Sequence, residues 1–160
     1  MDPSRLCGLI LAVALAGCGS TPREYMLDVV EGPIVLPMHV VGDSKGAAWW
    51  WNQYSVTPLF ALADECPDQI GCVFVLRGSL PYPVRGLSEM TVSPRGEILW
   101  CDVTVADDAP EVIRHELGHC LGLRHAESSD DIMYPYARPY GQPDPEAIAR
   151  VLQGWSPGRD

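Results

Sequence analysis

The stretch HELGHCLGLRH, residues 115–125, holds three of the four histidines in the chain. Any fold of this chain has to satisfy that spacing. His115 and His119 are four apart, and side chains four apart on a helix lie one above the other on the same face. Zinc binds imidazole nitrogen at about 2.0–2.1 Å, so two such ligands on successive turns fit one ion. Gly122 stands three residues after the second histidine. A glycine there can adopt the left-handed conformation that ends a helix in a sharp turn, and the turned chain can return His125 as a third ligand. The pattern H-E-x-x-H-x-x-G-x-x-H therefore offers three nitrogens and leaves a fourth position open. Structural zinc sites fill all four positions with protein, whereas catalytic sites keep one for water. Glu116, beside the first ligand, is not expected to coordinate. It is placed to take the proton of a water at the open position, where zinc lowers the pKa to about 7. Zinc would also polarise a substrate carbonyl, which completes an apparatus for amide hydrolysis without a covalent intermediate. The competing reading is a solvated or structural helix. H-E-x-x-H alone recurs by chance, but five fixed positions in eleven residues are far more specific.

The rest of the chain bounds this reading. A length of 160 residues fits one domain. With 21 acidic against 11 basic residues the formal charge is −10, which excludes nucleic acid as an expected partner, because phosphate binding needs a basic surface. A hydrophobic share of 47% is enough for a core. The opening MDPSRLCGLILAVALAGC has a short polar start with Arg5, then an apolar run from Leu6 to Ala16. That run is too short to span a bilayer and suits the core of a signal peptide. Its end, Leu15-Ala16-Gly17-Cys18, resembles the bacterial lipobox, in which the cysteine is lipidated and becomes the mature N-terminus. An ordinary cleaved signal is the alternative. The expected organisation is a signal peptide over 1–17, a lipid-anchored tether over 18–32 and one domain over 33–160. Gly19 after the cysteine points to the outer rather than the inner membrane.

Four cysteines then remain: Cys66, Cys72, Cys101 and Cys120. An even number in an exported chain points to disulfides. Zinc-thiolate ligation is the alternative, but no C-x₂-C pair is present. PIVLPMHVVGD (33–43) reads as a strand, with Pro37 marking an edge or a bulge. DSKGAAWWWNQYS reads as a helix capped by Asp43 or Ser44, with Ala47, Trp50, Trp51 and Tyr54 as a core-facing stripe. An aromatic ligand box is the sharper reading of the three tryptophans. LFALADE and CVFVLRG read as short strands, and Cys66 and Cys72 could close the loop between them. GSLPYPVRGLSE reads as a loop. MTVSPRGEILWCDVTVADD reads as a hairpin turning at Pro94–Gly96, with Leu99, Cys101, Val103 and Val105 on one face. APEVIRHELGHCLG is a helix that Asp107 or Asp108 can cap. DPEAIARVLQG is a last helix with Asp144 as N-cap and Pro145 at its first position. On a helical wheel Cys120 lies near Ile113 and Leu117, away from the histidines. A Cys101–Cys120 disulfide would pin the motif helix to the sheet; two buried thiols are the alternative.

With these motifs in view, the chain resembles the metzincin metallopeptidases, which join the long histidine motif to a downstream Met-turn. Met133 follows His125 by eight residues, in DDIMYP. That distance and the MYP are most similar to the matrixin branch. VTPLF (56–60) and DPEAIARVLQG (144–154) also resemble matrixin segments, so the likeness spans roughly 33–155. It implies an α+β metzincin fold: a twisted, mostly parallel sheet, an active-site helix, and a small C-terminal part with a closing helix. It implies a floor under the metal made by Met133, and a substrate pocket built around Val112, Pro135, Tyr136 and Tyr140. The chain also departs from the family. Ala126 stands where matrixins carry Ser, and PYA puts Tyr136 one place early in the wall motif. The ligands of a second, structural zinc are missing: outside the motif only His39 remains, and Glu89 and Trp100 stand where that site would lie. No calcium loop or cysteine switch is evident.

The function expected from these readings is a zinc endopeptidase with one catalytic ion and no calcium. It would be a monomer displayed on a bacterial membrane through lipid on Cys18, acting on peptide or protein substrates. A narrower version acts on a cell-wall or toxin-like target. The rival from another class is a non-catalytic, zinc-stabilised binding lipoprotein, against which Glu116 argues, since a structural site has no need of that carboxylate.

Overall fold

A computed structural model describes residues 12–15, 34–67, 70–94 and 96–154. The elements run β1 Ala12–Leu15, β2 Met38–Gly42, α1 Ala47–Asn52, β3 Phe60–Ala63, β4 Cys72–Arg77, β5 Gly86–Val92, β6 Ile98–Val105, α2 Pro110–Cys120 and α3 Pro145–Gln153. The strands form one sheet in the order β1-β5-β6-β4-β2-β3. β3, β2, β4 and β6 are parallel neighbours, β5 is antiparallel to β6, and β1 is antiparallel to β5. The chain is therefore α+β, with a parallel centre and an antiparallel margin. β1 comes from the apolar run expected as a leader, and it lies on the free edge of β5. Cys18 and all of the expected tether fall outside the described residues. No described helix is long and apolar enough to cross a membrane.

One face of the sheet carries the core. Met38 and Val40 of β2, Val73 of β4, Met90 of β5, and Cys101, Val103 and Val105 of β6 are buried, with Trp51 of α1 and Ile113, Leu117 and Cys120 of α2 packed against them. Alternation along the strands produces this face, and the helices close it. The two disulfides are Cys66–Cys72 and Cys101–Cys120, with Cα–Cα distances of 5.8 and 5.7 Å.

Several local expectations are corrected. Pro37 lies before β2, and β2 is an inner strand between β4 and β3, because the residue without an N–H stays outside the ladder. α1 is capped by neither Asp43 nor Ser44; Gly46, at φ +77°, occupies the N-cap, while the Asp43 side chain accepts from the Lys45 N–H. The buried stripe of α1 is Ala47, Ala48 and Trp51, whereas Tyr54 is exposed and Trp50 only partly buried. β5 begins at Gly86, inside the segment expected as loop. A register shift between Thr91 and Val92 leaves Leu99 partly exposed, and Ile98 takes the core position. α2 is capped by Ala109 and not by an aspartate side chain; Asp107 Oδ1 accepts instead from the Ala109 N–H at 3.0 Å. The hairpin turn, the Asp144 cap of α3 and its bond from the Glu146 N–H are as expected.

Candidate metal centre and active site

The site is built on α2, whose start is fixed from the side. Arg85 donates to both oxygens of Asp107, at 2.9 and 3.3 Å, and that pair holds the Asp107 carboxyl below its usual range. Asp107 in turn accepts from the Ala109 N–H, so the residue before β5 is tied to the start of α2. Trp51, fully buried, donates from its indole N–H to the Arg114 carbonyl at 2.8 Å and ties α1 to the middle of the helix. Cys120 anchors the far end to β6.

The end of α2 turns as the glycine predicts. Gly122 sits at φ +79°. Its N–H reaches the His119 carbonyl and the Leu123 N–H reaches Gly118 O, at 2.8 and 3.1 Å. These two bonds make the Schellman ending that reverses a chain after a helix. The reversal brings His125 beside His115 and His119, with ring centroids 5.2 and 4.8 Å away. One nitrogen from each of the three rings falls within 4.8 Å of the others. His115 and His119 are buried; His125 is the solvent-exposed member.

The hydrogen bonds show that this cluster fits a cation. His115 Nδ1 lies 2.7 Å from the Ile132 carbonyl, and His119 Nδ1 lies 2.8 Å from the Leu123 carbonyl. A carbonyl only accepts, so each Nδ1 carries the hydrogen and each Nε2 of the neutral ring is a lone pair. Those two Nε2 atoms are 3.0 Å apart. Two lone pairs held face to face in a buried site call for a positive centre between them. Burial pushes His115 down to about 4 and His119 well below the ordinary imidazole value, so both rings are neutral, the form that coordinates. Backbone carbonyls that orient ligand histidines are a recurrent part of zinc sites.

Below the histidines lies the turn around Met133. Met133 N–H donates to Asp131 Oδ1 at 2.7 Å, and Asp131 Oδ2 accepts from the Asp144 N–H at 3.1 Å. One aspartate thus ties this turn to the cap of α3. Met133 itself packs on Gly118, where an added Cβ would also meet Trp51 Cζ2 at 2.9 Å.

Glu116 is 1% exposed and faces β5. Ser88 Oγ donates to its Oε2 at 2.6 Å. Burial pushes the Glu116 carboxyl up to about 7, against the opposing pull of the Ser88 bond. A carboxyl poised near neutrality is suited to taking a proton and giving it back. Of the pocket candidates, Val112 is buried beside Glu116, below Gly86. Pro135 is partly buried and Tyr136 packs on Tyr134 with centroids 5.8 Å apart. Tyr140 is 92% exposed. Sequence reasoning missed Ser88, Gly86, Gly118 and Asp131. The glycine inside H-E-x-x-H was a visible signal; Ser88 lay in a segment read as loop, where no face could be assigned.

No curated protein matches the chain. A family model, that of the matrixins, matches residues 49–149, which is more than half of the chain and includes the histidine motif, the turn at Met133 and most of α3. The chain belongs to the matrixin family.

Proposed function

We propose that this matrixin is a zinc-dependent endopeptidase with a metzincin fold, one catalytic ion and no calcium. The observation that carries the reading is the pair of buried Nε2 lone pairs, 3.0 Å apart on α2, with a buried carboxyl on the same turn that is not among the three clustered histidines. His115, His119 and His125 would hold the ion. Zinc, when bound, supplies Lewis acidity that polarises the scissile carbonyl and acidifies water. Glu116 accepts the proton of the attacking water on its carboxylate and passes it to the departing amine. The Ile132 and Leu123 carbonyls keep His115 and His119 in the tautomer that presents Nε2. The low-polarity surroundings of Glu116 strengthen each of these interactions. The N-terminal readings belong to the same proposal: export, cleavage before Cys18 that removes β1 with the leader, lipid on Cys18, a tether to residue 32, and a monomeric domain at the outer membrane that acts on peptide or protein substrates.

The test is a fluorogenic peptide library cleaved by wild type and by Glu116→Gln, with zinc measured in both. Glu116→Gln keeps size but cannot accept the proton. Turnover should fall at least about 10²- to 10⁴-fold, the usual worth of general-base catalysis, while zinc stays bound. Cleavage by Glu116→Gln at the wild-type rate would refute the mechanism. A wild type that holds zinc but cleaves no peptide would make the chain a zinc-stabilised binding protein.

A further inference from the structure

We propose that Ser88 and Gly86 are positioning residues that seat the Glu116 carboxyl group, Ser88 by its hydroxyl and Gly86 by having no side chain. The proposal rests on Glu116 acting as the base. Alternation along β5 turns Gly86, Ser88 and Met90 inward and Leu87 and Glu89 outward. Met90 shows that this face accepts a large apolar side chain. At Ser88 it carries a hydroxyl instead, 0% exposed. A buried hydroxyl is costly unless bonded, and here both acceptors within reach of its one hydrogen belong to Glu116. Its oxygen lies 2.6 Å from Glu116 Oε2 and 3.1 Å from the Glu116 main-chain carbonyl. Ser88 therefore fixes the carboxyl group relative to its own backbone.

Gly86 acts from the other side. A Cβ built there would stand 2.8 Å from Glu116 Cδ and 2.7 Å from Val112 Cγ1. Any other residue would push the carboxyl group out of its place or shift the strand. A glutamate side chain has three rotatable bonds and several rotamers. Between Ser88 and Gly86 one of them is selected, and a displacement of about 1 Å at a reacting group can cost about 10²-fold in rate. β5 is thus more than a sheet margin: it sets where the base stands.

Four variants test this: Ser88→Ala, Ser88→Thr, Gly86→Ala and Glu116→Gln. Ser88→Ala should lower kcat by about 10- to 100-fold, the worth of a hydrogen bond to a charged group. KM and zinc content should stay as in wild type. Ser88→Thr, which keeps the hydroxyl, should restore most of kcat, and Gly86→Ala should lower it. The second readout needs no turnover. In the metal-free protein the NMR resonance of Glu116 Cδ, identified by its loss in Glu116→Gln, should move in Ser88→Ala and return in Ser88→Thr. Thermal melts establish that each variant is folded. If threonine is not accommodated, kcat and the Cδ resonance of Ser88→Ala decide alone. Wild-type kcat in Ser88→Ala, with or without a lower melting point, overturns the proposal and leaves the mechanism standing provided Glu116→Gln is inactive. An active Glu116→Gln overturns the mechanism and the proposal together. An unmoved Cδ resonance overturns the seat itself.

Discussion

Gly118 and Met133 are packed so closely that no side chain fits between them: a Cβ on Gly118 would come within 3.1 Å of Met133 Cε. The same Cβ would meet the buried Trp51 ring. Gly118 is the fourth residue of HELGH, and its lack of a side chain lets the Met133 turn rise against the helix that carries His115 and His119.

Gly118→Ala should therefore destabilise the protein despite the better helix propensity of alanine. Overpacking a filled site typically costs about 1–3 kcal/mol. Urea denaturation reads this directly. Met133→Leu roughly conserves volume and should cost less than about 1.5 kcal/mol, with zinc retained. A Gly118→Ala protein as stable as wild type would show that the contact is loose. Complete loss of zinc from a folded Met133→Leu would mean that Met133 is more than a packed floor.

Purified protein should hold one zinc per chain. Among the described residues one histidine cluster has the geometry for an ion. His125→Ala removes the exposed ligand and leaves the His115–His119 pair on α2. Two imidazoles hold zinc poorly, so this variant should lose the ion to a mild chelator and lose activity with it. Metal analysis finding two tightly held ions in the wild type would contradict the one-site reading.

The Cys101–Cys120 disulfide closes a 19-residue separation between β6 and the ligand helix. Chain-entropy arguments put its worth at about 3 kcal/mol, against about 2 for the six-residue separation of Cys66–Cys72. Replacing both Cys101 and Cys120 by alanine should lower the urea midpoint more than the same change at Cys66 and Cys72. It should also loosen zinc, since the second ligand is His119, the neighbour of Cys120. An equal or reversed ranking would show that the longer bridge does not restrain α2.

The clustering of the three histidines was legible because its information is local. Four- and six-residue spacings, the glycine at the turn and the downstream methionine all act within one helix and its exit. The sequence also carried most strands and both disulfides, since periodicity reports on which face is buried and an even cysteine count points to pairing. What it did not carry is contact between distant segments. Ser88 meets Glu116 across 28 residues and Trp51 meets Arg114 across 63. The start of β5 was hidden by prolines and glycine that read as loop, and Leu99 was misplaced because a register shift leaves no mark on local alternation. The expected aspartate cap of α2 failed for a related reason. Asp107 is near enough to cap α2, but its side chain is bound by Arg85, and its remaining bond goes to Ala109.

Burial of Glu116 and of the histidines gives the metal-free protein opposing pH dependences. The Glu116 carboxyl is raised in the fold to about 7, from an ordinary value of 4.5. A raised carboxyl binds more protons folded than unfolded, so its contribution to stability is full below 4.5 and is lost as the pH rises through 7. His115 is lowered from 6.5 to about 4, so the unfolded chain binds more protons and stability is lost as the pH falls through that window. Glu116→Gln removes the first effect and leaves the second. In metal-free protein the variant should be more stable than wild type at pH 8, by up to about 3 kcal/mol, and nearly equal to it at pH 4. Urea denaturation of both proteins at the two pH values, in the presence of a chelator, measures the difference. A glutamine variant less stable than wild type at pH 8 would mean that the ionised carboxylate is well accommodated, and that burial does not set the protonation of this group.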